Sequence, residues 1–197
     1  MNVYDISQEI LGCVVFPGDP APRREMLSKI EDGATCNLSA FYMCAHNGTH
    51  VDAPYHFLNN GKTVDEISID KLVGMAYVAH HNGVITVQDA EDILLRSSHT
   101  NEACTKRILV AGDAVLSLEA AKCFAKQGIY LFGNESQTVG PEDAPMAVHV
   151  ALLSAEVVLL EGLRLSSVPE GAYLLSAAPL NISGSDGAPC RAILISL

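Results

Sequence analysis

Tryptophan is absent from this 197-residue chain, aromatic residues make up only 6% of it and charged residues only 18%. Basic residues are the scarcest class that matters for partners: 12 Lys+Arg stand against 23 Asp+Glu, a formal charge of −11 with histidine neutral. A phosphate backbone is held by clustered Lys and Arg, so this balance argues against nucleic acid, and against an anionic membrane surface, as partners. There is no C-x-x-C pair among the six cysteines, Cys13, Cys36, Cys44, Cys104, Cys123 and Cys190, and no density of them typical of a small disulfide scaffold. They read as free thiols, with Cys44 near enough to His46 to approach the same site. Long apolar runs are missing too: His149 and Glu156 interrupt one candidate span and Pro179 another. The first residues, Met1-Asn2-Val3-Tyr4-Asp5, lack the basic start and apolar stretch of a signal peptide. A cytoplasmic protein is expected.

What is abundant is apolar side chain, 49% of the chain. A chain of this size buries about 70% of its unfolded surface around one core, so residues 1–197 are expected to form a single domain. So much apolar residue beside so little charge also leaves surface for a second copy to cover. A homodimer or homotetramer is the expectation.

The second half alternates helical and extended patterns. Thr86 to Leu95 has helical spacing with Thr86 as N-cap, and Ser117 to Lys126 is amphipathic and ends at Gly128. Ala144 to Ala155 reads as an apolar helix. Between and after them, Arg107–Ala111, Ile129–Phe132 and Val157–Leu160 read as short buried strands. The alternating stretch Asn37–Ala45 and the segments Ala172–Ala177 and Arg191–Ser196 add further strands. The class is α/β with mixed sheets. Near the start, Phe16-Pro17-Gly18-Asp19-Pro20-Ala21-Pro22 is a rigid loop that can present Phe16 as an aromatic wall.

Chemistry concentrates in His46-Asn47-Gly48-Thr49-His50-Val51-Asp52-Ala53-Pro54-Tyr55-His56-Phe57. The spacing of His46 and His50 fits one helix face, but Gly48, the β-branched Thr49 and Val51, and Pro54 all disfavour a helix. In an extended chain, residues 46, 48, 50 and 52 share a face, placing His46, His50 and Asp52 in a row with Gly48 leaving space between the imidazoles. Two imidazoles and a carboxylate suit Zn²⁺ or a similar divalent ion, with a position left open for water. His149, inside an apolar helix, and Glu161, at the end of an apolar strand before Gly162, can complete the site. Five such ligands suffice for two ions sharing Asp52. His80, His81 and His99 carry no such pattern and read as surface residues.

The same segment closely resembles the H-x-G-T-H-x-D-A-P-x-H-F signature of the cyclase-like metal-dependent hydrolases, a family that includes arylformamidases. The resemblance extends to Phe16-Pro17-Gly18-Asp19, His149-Val150-Ala151-Leu152-Leu153, Glu161-Gly162-Leu163, and Pro179-Leu180 through Ala188-Pro189-Cys190-Arg191-Ala192. It implies a swivelling β/β/α (cyclase-like) fold, dimers or higher oligomers, and one or two zinc ions, or manganese in their place. By position it implies a first metal on His46, His50 and Asp52, a second on Asp52, His149 and Glu161, and His56 as catalytic acid/base. The reaction it implies is hydrolysis of an amide, foremost an arylformamide such as N-formylkynurenine, by a metal-activated water. Two departures bear on the substrate: Phe16 stands where the formamidases carry Trp, and Gly133-Asn134-Glu135-Ser136-Gln137-Thr138 stands where they read G-T-D-x-x-S. These favour, as alternatives, a cyclic amide, an ester or a polyketide-type substrate. A non-catalytic metal-binding protein is the competing class, and it leaves His56 without a role.

Overall fold

The computed structural model describes residues 1–196. In chain order the elements are β1 (Val3–Asp5), β2 (Arg23–Ser28), β3 (Leu38–Tyr42), β4 (His50–Asp52), β5 (Val73–His80), β6 (Gly83–Ile85) and α1 (Val87–Thr100). They continue with β7 (Arg107–Ala111), β8 (Ala114–Leu116), α2 (Leu118–Gln127), β9 (Leu131–Asn134), α3 (Met146–Leu153), β10 (Val158–Glu161), β11 (Gly171–Ser176), β12 (Gly187–Pro189) and β13 (Ile193–Ile195). Nine strands form one mixed sheet in the order β1-β13-β11-β5-β7-β9-β10-β4-β12. Its centre, β5-β7-β9-β10, is parallel, and both flanks are antiparallel. Two small sheets, β2–β3 and β6–β8, stand apart from it.

The central strands are apolar on both faces, as parallel strands covered on each side must be. Along β7, Ile108 and Val110 join the core under the helices, with Ala90, Ile93, Phe124, Leu152 and Phe132. Leu109 and Ala111 point the other way, to Ile6, Val78, Leu163, Tyr173 and Leu175. The helices begin and stop where the sequence sets them. Thr86 and Asp89 exchange bonds in a capping box at α1, Ser117 accepts from the Ala120 amide at α2, and Gly128 ends α2 in the left-handed conformation. Helix α1 runs on to Thr100, five residues beyond its expected end at Leu95. Helix α3 occupies the middle of the expected Ala144–Ala155 stretch.

Two expectations need correction. The stretch Asn37–Ala45 is a strand only over Leu38–Tyr42. The row from His46 to Asp52 is not one extended segment, because strand β4 begins at His50. Gly48 adopts φ +68°, a conformation that turns the chain between the two histidines. A side chain there would collide with Ile10 Cδ1 at 2.8 Å, not with the imidazoles. Gly48 is therefore needed for packing against the N-terminal segment, and the space between the histidines has another origin.

Candidate metal centre and active site

Strand β4 is the base of the site. Its antiparallel register with β10 sets Glu161 opposite His50 and Leu159 opposite Asp52. Period-two alternation sends His50, Asp52 and Glu161 to the face where Leu159 joins the helix-side core, while Val51 and Leu160 pack on the other face. Helix α3 crosses that face and brings His149 down onto the two carboxylates. His46 reaches the same point from its turn, and His56 from the short helical turn Pro54–His56, which starts at a proline and follows β4 directly. The five expected metal ligands and His56 thus converge, although they come from two strands, one helix and two turns.

The ring nitrogens are oriented by the surrounding backbone. His50 donates from Nδ1 to the Gly48 carbonyl at 3.0 Å, and His149 from Nδ1 to the Pro145 carbonyl at 2.9 Å. Each Nε2 is then left to face the carboxylates: His50 Nε2 lies 3.4 Å from both Asp52 Oδ1 and Glu161 Oε2, and His149 Nε2 lies 3.1 Å from Glu161 Oε1 and 3.6 Å from Asp52 Oδ2. His46 Nδ1 is 2.8 Å from Asp52 Oδ1. Glu161 Oε1 also accepts from the Val139 amide at 2.8 Å. His50, Asp52, His149 and Glu161 are all buried, at 1–3% exposure.

Among the described residues three sets of three ligand atoms come within 4.8 Å of one another; His46-His50-Asp52 and Asp52-His149-Glu161 share Asp52, and His46-His56-Asp186 is the third. The electrostatics fit a cation. Burial alone would depress the imidazoles, yet the hydrogen bonds of Asp186 and Asp52 pull His46 up to about 11, and those of Asp52 and Glu161 pull His50 up to about 9. His149 is raised against its burial by Glu161. Burial would raise Asp52, but His46 and His50 hold it well below the usual carboxylate range. Two buried carboxylates beside imidazoles, two of them oriented by backbone bonds so that Nε2 faces the carboxylates, are a donor set that could hold a divalent metal.

Above this base lies a cavity of about 240 Å³, lined by Phe16, Asp19, His46, His50, His56, Phe57, Gln137, Thr138, Pro145, His149 and Glu161. Phe16 is at its wall as expected, set by a turn in which the Asp19 amide donates to the Phe16 carbonyl and Gly18 has φ +99°. Phe57 packs on His149 with ring centroids 4.5 Å apart, and its edge meets His56 at 4.6 Å. Of the segment 133–138, only Gln137 and Thr138 reach the cavity. Asn134 binds the Ala114 and Thr138 carbonyls, and Glu135 holds the Gly112 and Leu165 amides. Cys44 does not line the cavity; its Sγ lies 3.7 Å from Asp19 Oδ2.

Sequence reasoning missed Asp186. Its Oδ2 accepts from His46 Nε2 at 2.9 Å and from His56 Nδ1 at 3.3 Å. The available signal was an aspartate between Gly184 and Gly187, just ahead of the Ala188-Pro189 stretch already singled out.

The family model for Putative cyclase matches residues 4–141. A kynurenine formamidase of Salinibacter ruber is 33% identical over 210 residues, covering 98% of this chain and 97% of its own length. One from Erythrobacter litoralis is 31% identical over 209 residues, covering 100% and 94%. A solved structure described as a potential metal-dependent hydrolase with cyclase activity superposes with a TM-score of 0.80 at 29% identity, covering 98% of this chain and 96% of that one. From its signature segment, its fold and these matches, the chain belongs to the putative cyclase family.

Proposed function

We propose that this protein is a metal-dependent amidohydrolase whose leading substrate class is an arylformamide such as N-formylkynurenine. The observation that carries the reading is the convergence of His46, His50, Asp52, His149 and Glu161 at the floor of a cavity with His56 at its side. The full-length relatives called kynurenine formamidase support it.

His46, His50 and Asp52 would hold one divalent ion and Asp52, His149 and Glu161 a second, with Zn²⁺ preferred for this donor set and Mn²⁺ an alternative. Such an ion supplies a water pKa near ~7 and Lewis-acid polarisation of the carbonyl. Phe16 and Phe57 enclose the aryl group. His56, whose Nδ1 is occupied by Asp186, offers Nε2 to the reacting atoms. It accepts one proton from the attacking water and delivers it to the leaving nitrogen as the C–N bond breaks, the bond pair going to nitrogen. Water and formamide thus give arylamine and formic acid, which releases its proton to solvent as formate.

A second reading keeps the metal site and changes the substrate to a neutral cyclic amide or ester. It is favoured by the cavity lining, which includes Asp19 but no Lys or Arg to anchor a carboxylate tail. The test is a panel of aryl formamides, lactams and lactones assayed with native protein and His56→Ala. Hydrolysis of the formamides, lost by about 10²–10⁴-fold in the variant, is expected. Turnover of the lactams or lactones alone would favour the second reading, and turnover of none would refute the enzyme.

The same reading includes a homodimer or homotetramer, supported by Met26, Leu27, Leu38, Phe41 and Tyr42, all exposed on the β2–β3 hairpin. It includes a cytoplasmic location, supported by six free cysteines. No helix among the described residues is long and apolar enough to cross a membrane.

A further inference from the structure

The geometry points to Asp186 as a positioning residue that sets the ring tautomers of His46 and His56 together, tying the metal floor to the proton-transferring group. This inference rests on the amidohydrolase reading above and deepens it, giving one carboxylate the orientation of both rings.

Asp186 is held by the sheet and not by its own side chain. Strand β12 pairs with β4 so that Gly187 lies opposite Asp52 and Pro189 opposite His50, which puts Asp186 one residue past the metal-bearing strand. The Ala53 amide donates to its carbonyl at 2.9 Å, and the Val64 amide donates to that of Ser185 at 2.9 Å. Gly187 makes the approach possible: a Cβ there would lie 2.7 Å from His46 Cε1 and 2.7 Å from the Val51 carbonyl. Without a side chain at 187, the His46 ring lies against the edge strand and its Nε2 meets the Asp186 carboxylate. The His46 and His56 rings stack with centroids 4.0 Å apart and planes 30° apart, so a single oxygen, Oδ2, serves both.

The chemical consequence follows from which nitrogen carries the proton. A carboxylate only accepts, so His46 donates Nε2–H to Asp186, which leaves Nδ1, on the Asp52 side, as the atom whose lone pair a bound ion would take in place of a proton. By the same rule His56 must donate Nδ1–H, which leaves Nε2 as the atom that takes the proton from water and passes it to the leaving nitrogen. When His56 becomes the imidazolium, Asp186 faces the new charge, as the carboxylate of a hydrolase triad does without itself taking the proton. The competing role for Asp186 is as a ligand, since His46, His56 and Asp186 also come within 4.8 Å of one another. A metal there would need His56 Nδ1 as a lone pair and would take it out of proton transfer.

The test uses zinc-loaded native protein, Asp186→Ala and Asp186→Asn. ¹⁵N NMR of the His56 ring reads the tautomer without any substrate. The native ring is expected as the Nδ1–H form, reverting in Asp186→Ala to the Nε2–H form that an unconstrained imidazole prefers. An unchanged tautomer overturns the proposal. Zinc per chain is expected to be the same in all three; loss of one ion in Asp186→Ala would make Asp186 a ligand and also overturn it. In activity, Asp186→Ala should lower kcat on an aryl formamide by about 10²–10⁴-fold with KM within a few-fold. The corresponding aryl formate ester, whose leaving group needs little protonation, should lose much less. The double variant with His56→Ala should be no slower than His56→Ala alone, whereas multiplied losses would overturn the coupling. If native protein hydrolyses neither substrate, the amidohydrolase reading fails, and the tautomer still decides the placement of Asp186.

Discussion

Replacing Gly162 by alanine would test how the fold holds the proposed metal-binding floor. Gly162 follows Glu161 and adopts φ +69°. Its amide donates to Ser136 at 2.7 Å, and its carbonyl accepts from Thr49 Oγ1 at 2.7 Å and Gln8 Nε2 at 2.9 Å. A Cβ would meet the Gly48 carbonyl at 2.3 Å, Gln8 Nε2 at 2.5 Å and Gln137 Nε2 at 2.6 Å. The left-handed conformation costs an L-residue about 1–2 kcal/mol, and overpacking adds about 1–3 kcal/mol. The expected loss is therefore about 2–5 kcal/mol. The glutamines can swing away but the Gly48 carbonyl cannot, and that carbonyl is the one holding His50 Nδ1. Gly162→Ala should accordingly weaken zinc affinity as well, by about 10–100-fold, as loss of an outer-shell partner does. The control is Gly128→Ala, at φ +66° with nothing within 4 Å of a Cβ, which carries the conformational cost alone. Urea unfolding of the metal-free proteins and zinc titration of the folded ones measure both quantities. Equal stabilities and equal zinc affinities for the two variants would show that the Gly48 carbonyl does not restrict residue 162.

Three further outcomes are expected. Asp52→Ala should lose zinc from both positions, because each ligand set includes Asp52; two ions retained per chain, measured by elemental analysis, would remove its shared role. Tyr77 donates to Glu170 at 2.7 Å, with burial and then Glu170 raising the phenol to about 12, while Tyr77 and Arg96 hold Glu170 below its usual range against burial. Tyr77→Phe should cost about 1 kcal/mol at neutral pH, discounted for the 35% exposure of Glu170. The tyrosine's share is present below pH ~10 and lost as pH rises toward ~12; that of Glu170 is present above pH ~4.5 and lost as pH falls. Unfolding curves across pH that are parallel for native and variant protein would contradict this. Finally, Asp19 at the cavity wall should raise KM for a carboxylate-bearing formanilide about tenfold over an ammonium-bearing one, with the gap closing in high salt and in Asp19→Asn.

The site was legible wherever its chemistry is local. His50 and Asp52 obey the period-two reading because β4 is a true strand, and Glu161 and His149 stand out because each is polar within an apolar element. Period two sets His46 on the same face, but the chain does not follow it there: Gly48 turns, and His46 returns to the site through tertiary packing. Asp186 lies 140 residues from His46 and meets it only through the pairing of β12 with β4, which no local pattern encodes. The central strand β5 carries no local signal either. It contains Gly74 and is apolar over Ala76–Ala79 because both faces are covered, so the alternation that marks a half-buried strand is missing. Strands β6, β8 and β12 have three residues each, too few for any period to register.

Metal bound at His46, His50, Asp52, His149 and Glu161 is proposed to drive amide hydrolysis. This is tested most directly by measuring divalent metal per chain and the rate of aryl formamide hydrolysis on the same sample, before chelation, after it, and after zinc is restored. One or two ions per chain are expected, with activity lost in step with metal and recovered on adding zinc. A protein that carries no divalent ion, or that hydrolyses the formamide equally well after chelation, would contradict it.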